Sequence, residues 1–364
     1  MAVSLIGATG IVTRAQEPVA LPLPSPWEQV FSVRVGAGYN DNVTLTHSDP
    51  KQAPFIYSGL DAVISRLPVD RNLLNLTLIA DDARFMGGGS VDNESLVLAS
   101  GEARKLFGTG WQPGLAAQWF YQDQVLDMST STTNQEALPV RGQTVTGRPG
   151  VRLEVSPRWW FSLDAPVTRQ FFDEPLDDYW EGGAKASQGF SYGHKSDLTA
   201  SYETIYRGYD EDPALDAEGD PTSGNKSKAL WQHDVRLVWR HYWDERRRWR
   251  TTAKLGFKAN RDDASGYFDF NRYQAAGQVR YRAKAWAVTG EAGLFQYHYA
   301  VQTTGGPGTP QRKRTEVTVG VRCERQIAKA WQVFAEYDHE RVMGNLTVEE
   351  YSVNKVKAGV NWTF

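Results

Sequence analysis

The last nine residues, Val356-Lys357-Ala358-Gly359-Val360-Asn361-Trp362-Thr363-Phe364, constrain the fold more than any other stretch of the chain. Val356, Ala358, Val360, Trp362 and Phe364 share one face of an extended strand, and Lys355, Lys357, Gly359, Asn361 and Thr363 share the other. Strand side chains alternate with period two, so one face is wholly apolar and the other polar or glycine. The pattern recurs upstream. Phe31, Val33, Val35, Ala37 and Tyr39 oppose Ser32, Arg34, Gly36, Gly38 and Asn40; Thr315, Val317, Val319 and Val321 oppose Arg314, Glu316, Arg322 and Glu324. In the segment Leu74–Asp81, Ile79 breaks the polar side. The periodicity predicts strands at 29–46, 54–67, 71–86, 93–107, 111–125, 141–155, 157–172, 178–192, 195–209, 227–243, 247–261, 266–282, 285–301, 311–327, 330–343 and 348–364. Each is long enough for a tilted membrane-crossing strand of roughly 9–11 residues.

The connections alternate in length. Turns such as Pro68-Val69-Asp70, Gly108-Thr109-Gly110, Ser156-Pro157, Gly193-His194, Asp244-Glu245-Arg246 and Ala328-Lys329 are short; His47–Ala53, Leu126–Val140, Asp210–Lys226 and Gln302–Pro310 are longer. A soluble β-sandwich accounts for the alternation of side chains but not for this rhythm. A single all-β antiparallel barrel of the outer-membrane type, with about sixteen strands (roughly 14–18), accounts for both, since such barrels carry short periplasmic turns and longer outer loops. The predicted division is a signal remnant or Pro-rich periplasmic leader at 1–28 and a barrel at 29–364. The ending resembles the carboxy-terminal signal of outer-membrane barrels, which implies that Val360, Trp362 and Phe364 address the barrel-assembly machinery.

Composition agrees. Mean hydropathy is −0.50, and no apolar run approaches the roughly 20 residues a spanning helix needs. The 33 Gly, 13 Trp, 16 Tyr and 15 Phe suit tight turns and aromatic girdles. Trp27, Trp159, Trp160, Trp243, Trp249, Trp286, Trp331 and Trp362 fall near predicted strand ends, where girdles sit. The single cysteine, Cys323, excludes internal disulfides and Cys-based metal clusters. A net charge of −3 argues against nucleic acid as a partner.

With the apolar faces turned to lipid and lipopolysaccharide, the polar faces line a lumen. The predicted basic lining is Arg236, Arg240, Lys254, Arg272, Arg280, Arg282, Arg314, Arg322, Lys355 and Lys357, joined by Arg250 and Lys258. The acidic counterpart is Glu316, Glu324, Glu336 and Asp338, with Glu340. Charge ladders of this kind set solute selectivity, and a mostly basic one favours anions. The same charges also pair across strands and stabilise a sheet. The six histidines are scattered, with no metal-ligand spacing and no Ser/His/acid grouping. No cofactor, metal or enzymatic activity is expected. An acidic loop over Asp210–Asp220 lacks the spacing of a calcium loop and reads as a solvated outer loop.

Gly38-Tyr39-Asn40-Asp41-Asn42-Val43 in the first strand resembles the Gly-Tyr-x-x-Asn-Val opening of an outer-membrane β-barrel family that accompanies exosortase and exopolysaccharide gene clusters. The resemblance implies an envelope barrel serving polysaccharide export, and it transfers no site residue. The expected function is therefore a porin-like channel for passive passage of hydrophilic, anionic solutes or of an exported polysaccharide. The alternatives are a plugged structural or assembly barrel, marked by complete pairing of the inward charges, and a barrel hydrolase, marked by a Ser or His with a carboxylate at one rim. Leu126–Val140 is the candidate for a loop folded into the lumen.

Overall fold

The computed structural model describes residues 25–67, 71–87, 89, 91–108, 110–129, 137–223, 226–305 and 308–364. The expected leader at 1–28 falls almost wholly outside the described residues. Strands follow in the order β1 (Trp27–Asn40), β2 (Ala53–Arg66), β3 (Asn72–Phe85), β4 (Asn93–Lys105), β5 (Trp111–Asp127), β6 (Ala137–Glu154), β7 (Trp159–Asp164), β8 (Val167–Phe172) and β9 (Tyr179–Tyr192). The second half contains β10 (Ser196–Pro213), β11 (Ser227–Tyr242), β12 (Trp249–Asp262), β13 (Phe270–Arg282), β14 (Trp286–Thr303), β15 (Gln311–Gln326), β16 (Trp331–Gly344) and β17 (Tyr351–Thr363). A single 3₁₀ turn, Thr347–Glu349, precedes β17. Every pairing is antiparallel, between sequence neighbours except where β6 also pairs β8 and β7 pairs β9, and β1 closes on β17 through Ser32↔Thr363 to Asn40↔Lys355. β7 and β8 lie end to end between β6 and β9, so the closed barrel has sixteen staves. Closure leaves no unpaired sheet edge.

The strand expected over 157–172 is thus interrupted at Ala165-Pro166. Pro166 has no N–H to give the ladder, while Ala165 N–H still donates to Pro149 O at 2.9 Å and Pro166 O accepts from Gly183 at 3.0 Å. The first strand ends at Asn40 rather than 46, because Asn42 turns the chain: its side chain donates to Thr46 O and Ser352 O. Asp41 accepts from the backbone and side chain of Asn354. The Gly38–Val43 motif therefore clamps the seam between β1 and β17. β5 and β6 extend beyond their expected limits, pairing as far as Asp127↔Ala137. β10 likewise runs to Pro213, which takes Asp210 and Asp212 out of the expected acidic loop. Asp212 pairs with Lys228, and Asp210 with Arg169.

The outer surface is apolar. Val35, Ile56, Leu115, Leu163, Val235 and Leu255 are all more than half exposed. Large exposed apolar areas are not tolerated in water but are required against lipid. Trp27, Trp111, Trp159, Trp249, Trp286, Trp331 and Trp362 form a girdle at the short-turn end, while Trp180, Tyr206 and Trp231 stand towards the other end. Trp160 departs from the expected girdle. It faces inward, stacked under the Arg152 guanidinium at 4.1 Å, and lies on Gly189. No helix among the described residues is long and apolar enough to cross a membrane.

Gly38 sits at the seam because nothing larger fits. A Cβ there would lie 2.3 Å from the Phe55 ring and 2.4 Å from Val356 O. G38V is expected to destabilise the barrel by about 1–3 kcal/mol, the usual scale of overpacking. The check is the temperature at which the folded, fast-migrating form converts to the unfolded band in detergent gels, which should fall.

Candidate functional site

The charged faces of the strands meet inside the barrel. β11, β12 and β13 turn Arg236, Arg240, Arg250, Lys254, Lys258, Arg272, Arg280 and Arg282 inward, and Asp234 is the one inward carboxylate lying between them. Asp234 reaches Arg236 at 3.2 Å and Arg272 at 3.8 Å, and Arg240 is 3.3 Å from Asp197 on β10. Arg250 donates to Gln278 at 2.7 Å, and Gln278 donates in turn to Glu291 at 3.2 Å. Among the described residues, no carboxylate lies within ion-pair reach of Lys254, Lys258, Arg280 or Arg282. Arg280 is the register partner of Arg250, and its Nε has no hydrogen-bond partner. Lys254 and Arg282 are exposed to the lumen.

The other expected basic residues are neutralised locally. Arg322 bridges Glu324 at 2.7 Å and Glu336 at 2.5 Å; Lys357 reaches Glu336 at 2.7 Å, and Lys355 reaches Glu94 on β4 at 2.8 Å. Arg314 binds Asp127 and lies 3.9 Å from Glu316. Asp338 lines the central cavity beside Glu340 and Lys355. On this wall the ladder is a paired network; the arc of β11–β13 is the part left cationic.

The Arg314–Asp127 contact crosses the lumen. Asp127 ends β5 and Arg314 belongs to β15, 187 residues away. The chain beyond β5 is held to the opposite wall: Ser129 is 1% exposed, its Oγ accepts from Arg314 at 2.8 Å and its carbonyl from Arg312 at 3.0 Å. Arg312 is completed by Gln302, by the Tyr299 ring at 4.2 Å and by Glu349 at 2.6 Å, the last a close ionic contact rather than an aligned hydrogen bond. Burial pushes the Glu349 carboxyl up and Arg312 pulls it down, with burial prevailing. Residues 130–136 of the candidate inward loop lie outside the described residues. Below Asp127 a cavity of about 770 Å³ is lined by Arg240, Arg250, Lys254, Glu291, Glu316 and Asp338 among others. Beside it, Val43, Phe55, Phe85, Val91, Val125 and Phe334 fill the lumen against β2 and β3 with a packed apolar cluster.

A closed barrel with an apolar belt, two aromatic girdles and a charged interior has its counterpart among solved structures. OccAB1 of Acinetobacter baumannii superposes with a TM-score of 0.50 at 8% identity, covering 93% of this chain and 97% of that one. OpdQ of Pseudomonas aeruginosa gives the same score, identity and coverage. An anion-selective porin from Comamonas acidovorans superposes at 0.46 with 11% identity, over 93% and 99%. The protein is a bacterial outer-membrane barrel of porin-like fold. No protein-family model matches its sequence, and no curated protein does.

Asp127, Ser129, Arg312, Glu349, Glu94 and Glu291 escaped the sequence reading. Arg312 has the parity of Arg314 and could have been placed inward by counting. Glu291 faces its register neighbour Gln278, and Glu349 meets Arg312 from the turn before β17. Glu94, Asp127 and Ser129, the last two at the start of the loop expected to fold inward, are set by contacts across the lumen. No group of three or more potential metal ligands occurs among the described residues. Ser196 Oγ lies 3.3 Å from His241 Nδ1, but Ser196 is 1% exposed and the imidazole packs among Tyr192, Trp239 and Trp243 in the girdle.

Proposed function

We propose that this barrel is a passive channel for small hydrophilic anions across the outer membrane. The observation that carries the reading is the arc of β11–β13: eight inward cations with one carboxylate between them, five of the cations (Arg250, Lys254, Lys258, Arg280 and Arg282) without an ion-pair partner among the described residues. Cations buried without partners cost free energy, so an arc of them persists where water and passing anions solvate it. Arg240, Arg250, Arg280 and Arg282 lie at the short-turn ends of their strands and line one side of that mouth. Lys254 continues the arc to the cavity under Asp127. Arg314, Arg322, Lys355 and Lys357, paired with Asp127, Glu324, Glu336 and Glu94, brace the adjoining wall of β15–β17, and Asp338 adds negative charge to it. An acidic surface polysaccharide is a second cargo of the same charge, favoured by the resemblance of the Gly38–Val43 segment to barrels of exopolysaccharide clusters. A plugged scaffold would leave few inward cations unpaired, which the β11–β13 arc disfavours.

The test is solute uptake into proteoliposomes. Gluconate is expected to enter faster than a cation of similar size, such as N-methylglucamine. Equal rates, or faster entry of the cation, would refute anion passage.

Val360, Trp362 and Phe364 remain the proposed membrane-insertion signal. Trp362 packs on Trp331 at 5.8 Å and on Phe364 at 4.6 Å, and Phe364 exchanges backbone hydrogen bonds with Phe31. Deletion of residues 362–364 is expected to leave most of the chain unassembled, read as loss of the heat-modifiable band from outer-membrane fractions.

A further inference from the structure

The arc opposite the cations carries an apolar row among its polar inward residues. Ile79 of β3, Leu98 of β4 and Phe120 of β5 are successive register partners, Ile79↔Leu98 and Leu98↔Phe120, and so form one lateral row. The row faces inward. Asp81, two residues from Ile79, binds Arg34 and Tyr57 inside the barrel; Glu94, four residues from Leu98, binds Lys355 across the lumen. Gln124, four residues from Phe120, lines the central cavity. Leu96 flanks the row as partner of Asp81 and Gln122, and Val63 lies diagonal to it on β2. The row is separate from the fully buried cluster of Val43, Phe55 and Phe334: Ile79, Leu96, Leu98 and Phe120 are each only partly covered. Its centre is the fourth stave and the centre of the cationic arc is the eleventh, a separation of seven where eight of sixteen would be diametric.

We infer that the lumen selects amphipathic organic anions, molecules carrying a carboxylate or similar head on an aliphatic body. This rests on the anion-channel reading and names the substrate class for it. Apolar side chains left partly exposed in a hydrated lumen are costly, and a solute that covers them is held by the area it removes from water. The transverse arrangement orients such a solute as it passes, head towards Lys254 and Arg280, body towards Leu98 and Phe120. Simple inorganic anions gain only the first interaction.

The experiment uses the refolded full chain in planar bilayers, with chloride current measured while acetate, butyrate and hexanoate are added in turn. Inhibition of the chloride current is expected to strengthen along the series, with hexanoate half-inhibiting at a concentration on the order of tenfold below acetate, since each added methylene increases the apolar area covered. L98N/F120Q is expected to flatten the series while leaving chloride-over-potassium selectivity unchanged. Wild-type chloride current with no dependence on chain length overturns this inference alone. A flat series accompanied by altered conductance in L98N/F120Q assigns the row to packing against another part of this chain and also overturns it. Absence of chloride current from folded protein overturns the channel reading, and this one with it.

Discussion

R280E/R282E is expected to shift the channel from anion preference towards cations. The two arginines stand at the short-turn end of β13 beside Arg250, without a carboxylate in ion-pair reach among the described residues, so their charge is expressed in the lumen rather than spent on a neighbour. At an effective dielectric constant of about 20, a unit charge about 8 Å from a passing ion is worth about 2 kcal/mol. Reversing two charges changes the local total by four units. Even after screening, the chloride-to-potassium permeability ratio should fall on the order of tenfold or more when measured near 0.1 M salt, where the Debye length is about 10 Å. The same double change at Arg322 and Lys357 should act differently. Those residues neutralise Glu336 and Glu324, so reversing them would disrupt the wall before it altered selectivity. A reversal potential indifferent to R280E/R282E would remove the β11–β13 arc from the mechanism.

D127A is expected to widen the channel. Asp127 and Arg314 are 9% and 4% exposed, and their contact joins the end of β5 to the far wall. Removing one member of a buried pair leaves the other uncompensated, at a cost of roughly 3–5 kcal/mol. None of the stave ladders depends on Asp127 beyond its terminal pairing with Ala137, so the loss should fall on the crossing segment rather than on the barrel. Single-channel conductance should rise, and the temperature at which the barrel unfolds in detergent should change little. D127N should lie between the two, since it keeps the shape that accepts the Ser129 N–H at 3.0 Å but loses the charge that holds Arg314. Unchanged conductance in D127A would mean that the segment from Asp127 to Ser129 does not limit the pore.

Most staves are legible because period two is a local property: strands such as β1, β15 and β17 announce two faces in their own residues, β4 and β9 least clearly, and the turn lengths supply the topology. Boundaries were less legible where side chains rather than periodicity end a strand, as Asn42 does after β1 and Pro166 does between β7 and β8. The site was legible only in part. Parity placed Lys254, Arg280 and Arg282 on the inner face, but it could not tell them from Arg322, Lys355 and Lys357, whose charges are cancelled by Glu336, Glu324 and Glu94. That distinction depends on which staves face each other and on side-chain reach of a few ångströms. The length of the Leu126–Val140 connection marks the segment of Asp127 and Ser129 as one that could turn inward, but nothing local names its partners, since Arg312 and Arg314 lie more than 180 residues away. Ile79 reads as an irregularity within its own strand, and becomes a lateral row only when Leu98 and Phe120 are brought beside it.

The central claim is that the lumen is a water-filled path whose uncancelled charge is positive. The most direct measurement is the reversal potential of single channels of the refolded protein in a planar bilayer under a potassium chloride gradient. A steady conductance with a reversal potential on the chloride side is the predicted result. A potassium-side potential, or no conductance from protein that migrates as a folded barrel, would contradict it.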